Sequence, residues 1–134
     1  MADLIGIVIV AHGGLAAEYL SAVEHVVGKQ TGIHAIAIAP DDDRSHKQDE
    51  ICDAADSVDT GDGVVIVTDL FGGSPSNLSL RACRLQNRRI LYGANLPMLV
   101  KLAKSRNKSV IDAVNAALDA GRKYIDSHAV ELDT

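Results

Sequence analysis

Leu4 to Ala11 run without a single polar side chain and without any alternation of large and small character. A strand covered on one face alternates apolar with polar residues, whereas a strand covered on both faces does not. The run is too short to span a bilayer, carries Asp3 ahead of it and has no basic leader, so neither a membrane span nor a secretion signal accounts for it. It predicts a strand buried on both faces, as in a parallel sheet with helices on both sides.

The rest of the chain repeats the pattern. Ile33–Ala39, Val64–Asp69 and Arg89–Gly93 are further short apolar runs, and helical patterns lie between them. Leu15, Tyr19, Val23, Val26 and Val27 recur at helical spacing, and Gly28 supplies a stop. A second helix follows Pro40 and Asp41–Asp43, with Ile51, Ala54, Ala55 and Val58 inward. Thr60-Gly61-Asp62-Gly63 reads as the turn into the third strand. A third helix carries Leu78, Ala82 and Leu85, Pro97 opens a fourth, and a fifth from Ser109 carries Ile111, Val114, Leu118, Gly121 and Ile125. Such alternation predicts an α/β fold with an open, mostly parallel sheet and right-handed crossovers. At 134 residues, with no repeat and no linker, the whole chain 1–134 reads as one domain. Apolar residues make up 47%, but the aromatics are only Tyr19, Phe71, Tyr92 and Tyr124, so the core must be aliphatic.

Charge narrows the function. The formal net charge is −5 and no dense basic run exists, which disfavours nucleic acid and anionic membrane as partners. Cys52 and Cys83 sit among apolar residues with no CxxC, as expected of two buried thiols in a reducing compartment. The protein is expected to be soluble and cytoplasmic. No pair of histidines has the helical spacing of a metal site, and Asp41–Asp43 reads as a solvated helix start, so neither metal nor cofactor is expected.

In an open α/β sheet ligands gather beyond the carboxyl ends of the strands. That rule selects the loops 11–14, 69–77 and 94–98. In the second, Gly72 and Gly73 allow a close backbone approach, Ser74 suits an N-cap and Pro75 the first helical position. The N–H groups that follow form a site for an anion such as phosphate, although a well-capped strand-to-helix turn reads the same way. His12 is the only histidine at a strand's carboxyl end. A histidine attacks phosphorus when one ring nitrogen is unprotonated and aimed, and a carboxylate on the other nitrogen sets that state. Asp69 is the expected carboxylate, provided strands one and three are neighbours. His25, His34, His46 and His128 fall at a helix's outer face, a strand start, a polar helix start and the tail. Neither GxxxxGK[ST] nor GxGxxG occurs, and no arginine stands beside His12 or within 69–77. Phosphate would thus be held mainly by backbone N–H groups, which suits passing it between proteins. Arg88 and Arg89 fall at the other end of the sheet and read as solvent-facing.

Three segments, Gly6-Ile7-Val8-Ile9-Val10-Ala11-His12-Gly13, Thr68 through Asn77 with its GGSPSN stretch, and Gly93-Ala94-Asn95-Leu96-Pro97-Met98-Leu99, resemble the IIA component of the mannose family of the bacterial sugar phosphotransferase system. The resemblance implies a sheet of order 2-1-3-4, which would put His12 beside Asp69. It implies that His12 takes phosphate on Nε2 from the carrier protein HPr and passes it to a IIB partner, with Asp69 orienting the ring. The backbone of Gly72, Gly73, Ser74 and Ser76 would hold the phosphoryl oxygens. It further implies a homodimer in which an antiparallel C-terminal strand, here Ala129–Leu132, is swapped onto the partner's sheet. Some members continue into a IIB domain; this chain ends at Thr134, so the expected acceptor is a separate protein. Phe71 stands where the family often has Trp, and with Leu70 would form an apolar docking rim. Two other functions fit the same residues: a regulatory module whose partner depends on His12 phosphorylation, and the phosphotransfer subunit of a dihydroxyacetone kinase. The GGSPSN loop favours the mannose type over the latter.

Overall fold

β1 (Gly6–His12) lies inside the sheet and is buried on both faces, as its unbroken apolar run predicts for the faces. It pairs in parallel with β2 (Ile33–Ile38) on one side and β3 (Val64–Thr68) on the other, and β3 pairs in parallel with β4 (Arg88–Leu91). The order is β2-β1-β3-β4. The computed structural model describes residues 4–70, 74–80, 84 and 87–131. Phe71, Gly72, Gly73, Ala82, Cys83, Leu85 and Leu132 fall outside them, as do the side chains of Pro75 and Ser76.

Successive side chains of β1 serve opposite faces. Ile7, Ile9 and Ala11 join Val65 and Val67 in one core cluster with α1 (Leu15–Val27), α4 (Leu96–Lys104) and α5 (Val110–Lys123). Val8 and Val10 join Val64 and Ile66 in the other, beneath α2 (Arg44–Val58) and α3 (Ser74–Ser79). Ile51, Ala54, Ala55 and Val58 of α2 are all buried there. α1 ends at Gly28, whose φ of 91° is the left-handed region where glycine is favoured, and whose N–H donates to the Glu24 carbonyl. Asp43, Asn95 and Ser109 cap α2, α4 and α5 by accepting from His46, Met98 and Asp112 N–H groups.

Several expectations shift. Leu15, Val26 and Ile111 are exposed; Ala16 of α1 and Val110, Ala113 and Ala117 of α5 occupy the inward positions that the large residues had suggested. Small alanines let the helices sit close to the sheet, so the stripe follows Ala as much as Val or Ile. Ile125 lies beyond the end of α5 and is exposed. Cys52 is only partly buried, at the margin of the second cluster. Residues 125–131 form neither helix nor strand and are exposed, Val130 at 97%.

Two arginines at the amino end of the sheet are structural. Arg88 is not solvent-facing: its side chain is 3% exposed, and it donates to Asp56 at 2.8 Å and to Asp59 at 3.1 Å, tying β4 to the end of α2. Arg89 is exposed. Arg106 is buried and donates to the carbonyls of Ile5 and Thr31, both at 2.7 Å, so it staples the starts of β1 and β2. Among the described residues no helix is long and apolar enough to cross a membrane.

Candidate functional site

A sheet of order 2-1-3-4 has its switch point between β1 and β3, where the chain leaves the two strands toward opposite faces. His12 is the last residue of β1, and Asp69 follows the last residue of β3 directly. The register pairs Val10 with Thr68, so the two functional side chains emerge side by side.

Asp69 Oδ2 accepts two hydrogen bonds from His12, from the backbone N–H at 3.0 Å and from ring Nδ1 at 2.9 Å. The Asp69 side chain is 10% exposed, and its Oδ1 is buried with no hydrogen-bond partner. Burial pushes this carboxyl up, but the backbone N–H, the ring bond and the charge of His12 outweigh it, so it stays below the ordinary carboxylate value. An ionised carboxylate only accepts, so Nδ1 of His12 carries the proton that faces it, and in the neutral ring Nε2 keeps the lone pair. The His12 side chain is 46% exposed, so that lone pair belongs to a reachable ring.

Glycine keeps the approach clear. Gly13 has φ of 56° and turns the chain back so that its N–H donates to the Ile38 carbonyl at 3.0 Å. A Cβ at Gly13 or Gly14 would meet nothing within 4 Å. Leu70, next to Asp69, is exposed as the rim reading requires.

A cleft of about 620 Å³ opens beside His12, between the loop after β2 and α3. Ile38, Ala39, Pro40 and Leu78 give it apolar walls, and Ser74, at the start of α3, lines it too. Of the four predicted phosphate-holding residues, Ser74 thus shares a cleft with His12, Ser76 lies one turn into α3, and Gly72 and Gly73 are outside the described residues. The loop after β4 contributes no lining residue; Asn95 there caps α4 and donates to the Gly121 carbonyl.

The sequence reading missed one wall. Asp42, Arg44 and Lys47 line the same cleft, so an arginine shares a cleft with His12, although none stands beside it in sequence. The strand-end rule would have found these residues had it been applied to the loop after β2 as well as to the other three.

A parallel sheet of this order, with a histidine and a carboxylate hydrogen-bonded at its switch point, defines a doubly wound α/β protein whose paired side chains lie where such sheets bind ligands. The comparisons narrow the class. A family model described as the PTS system fructose IIA component, of the mannose type, matches residues 6–118. The mannose-specific EIIAB component of Escherichia coli K12 is 30% identical over 124 residues, covering 90% of this chain and 38% of that protein. The sorbose-specific EIIA component of Lacticaseibacillus casei is 28% identical over 130 residues, covering 96% of this chain and 94% of that one. The crystal structure of an EIIA component from Streptococcus agalactiae superposes with a TM-score of 0.82 at 26% identity, covering 92% of this chain and 97% of that one. The chain belongs to the mannose-type IIA family of the sugar phosphotransferase system. It spans well under half the length of the E. coli relative.

Proposed function

We propose that the chain is a phosphoryl carrier that accepts phosphate on His12 Nε2 from an HPr-type phosphocarrier and yields it to a IIB-type protein. The observation that carries this reading is the bond between Asp69 Oδ2 and His12 Nδ1, at 2.9 Å, on a ring that is half exposed. Family membership supports it.

The step balances without an external base. The Nε2 lone pair forms a bond to phosphorus while the donor's own P–N bond breaks, and the donor imidazole, protonated on its other ring nitrogen, leaves neutral with the electron pair. The phosphorylated His12 ring becomes cationic, and its Nδ1–H now faces a carboxylate, which strengthens the hydrogen bond as charge develops. Return of phosphate to an acceptor reverses these events. The backbone N–H groups of Gly72, Gly73, Ser74 and Ser76 are the proposed holders of the phosphoryl oxygens, and the shared cleft of Ser74 and His12 supports that placement. The exposed tail, with Tyr124, Ile125 and Val130 uncovered, supports a homodimer in which residues 129–132 add to the partner's sheet.

The test is transfer of label from phosphoenolpyruvate through enzyme I and HPr. The wild-type chain takes up acid-labile, alkali-stable phosphate, and His12→Ala takes up none. Label at wild-type level in His12→Ala overturns the assignment.

A further inference from the structure

Among the charged residues of the His12 cleft, Lys47 and Asp42 already answer one another's charge. Lys47 Nζ lies 2.9 Å from Glu50 and 3.9 Å from Asp42, and Asp42 also accepts from the Ala39 N–H at 2.7 Å. Arg44 is different. It lines the cleft and is exposed, and among the described residues it has neither a carboxylate nor a carbonyl partner. Its side chain, with five donors and a positive charge, therefore borders the cleft that His12 also lines, in a chain whose net charge is −5. Other arginines of this chain show what the fold does with a guanidinium required for structure: Arg88 and Arg106 are buried and multiply bonded.

We propose that Arg44 is a further catalytic residue of this site, binding the phosphoryl group in transit between the donor and His12. The proposal rests on the phosphoryl-carrier reading. A phosphoryl group crossing between two imidazoles spreads negative charge over its three peripheral oxygens while little covalent assistance is possible. A guanidinium matches those oxygens in geometry and stays charged throughout. Arg44 is also the first residue of α2, so the positive end of that helix acts in the same direction. Because the side chain is exposed to solvent, its effect is smaller than that of an enclosed arginine finger, and we expect about a tenfold loss of rate on its removal.

Two donors separate this role from docking. Phosphoramidate is a small P–N compound that gives its phosphoryl group to imidazole with ammonia leaving, and it needs no protein interface. Arg44→Gln should slow the labelling of His12 about tenfold from both phosphoramidate and phospho-HPr, and should move the phosphorus-31 resonance of the phosphohistidine. Arg44→Lys should recover part of the rate. Lys108→Gln, which makes the same change in net charge at the far end of the sheet, should leave both rates as they are. Slowing with phospho-HPr alone, through a raised KM, would make Arg44 a docking contact and overturn the proposal. So would equal rates for Arg44→Gln and wild type. Failure of the wild-type chain to be labelled at His12 by either donor would overturn the carrier reading itself, and the role of Arg44 with it.

Discussion

Asp69 meets His12 through a single oxygen that binds both its backbone and its ring, so the carboxylate fixes the ring's position as well as its proton. Removing the charge while keeping the shape should leave His12 phosphorylatable but slow. For Asp69→Asn we expect transfer from phospho-HPr to fall about 10- to 100-fold, less than the roughly 10⁴-fold seen when a triad carboxylate is neutralised in a hydrolase. Quench measurement of the half-reaction checks this, and an unchanged rate would remove Asp69 from the mechanism. The same carboxyl links stability to pH. Its value in the fold lies below that of an unfolded carboxyl, about 3.9, so its stabilising contribution is complete above that value and is lost as pH falls through the lowered one. Urea unfolding should therefore show a gap between wild type and Asp69→Asn at pH 7 that narrows by pH 3; a constant gap would contradict it. His12 and Asp69 were legible in the sequence because each ends a strand, and strand ends can be read from apolar runs. Arg44 becomes legible only when the strand-end rule is extended to the loop after β2 and β2 is known to pair beside β1, which brings that loop to His12.

The helices reach the sheet by close approach, and Gly6 in β1 marks the tightest point. A Cβ there would land on the Val58 carbonyl at the end of α2, so α2 can pack over β1 only while residue 6 has no side chain. Gly6→Ala should cost about 1–3 kcal/mol, since backbone yields less readily than a side-chain tip. Chemical denaturation checks this, and stability equal to wild type would show that α2 can shift without loss. Elements whose signal is local were readable in advance: the parallel strands from their unbroken apolar runs, α1 from its spacing and Gly28, α4 from Pro97 and α5 from Ser109. What escaped depends on distant partners. Arg88 looked like a surface residue because its two carboxylates, Asp56 and Asp59, belong to the end of α2. The exposure of Ile111 and the burial of Ala113 and Ala117 follow from how closely α5 packs, which hydrophobicity alone does not encode.

The molecule places its two ends of the sheet under different demands. At the amino end, Arg106 and Arg88 are sealed into networks that hold strands and helices together. At the carboxyl end, His12, Leu70 and Arg44 are left open, as the proposed carrier role requires. In the proposed dimer, the exposed residues 125–131 belong to the assembly rather than to the single fold. Deleting residues 129–134 should convert a dimer to a monomer in light scattering while circular dichroism stays unchanged; a truncated chain that remains dimeric would show that the tail is not the exchanged element. The central claim is narrower than any of these: phosphate resides on Nε2 of His12 because Asp69 occupies Nδ1. Nitrogen-15 and phosphorus-31 NMR of the phosphorylated chain, with labelled histidine, reads the bonded nitrogen directly. The account predicts a phosphorus coupling to Nε2 of His12, with Nδ1 still bearing its proton, and phosphate found on Nδ1, or on any other residue, would contradict it.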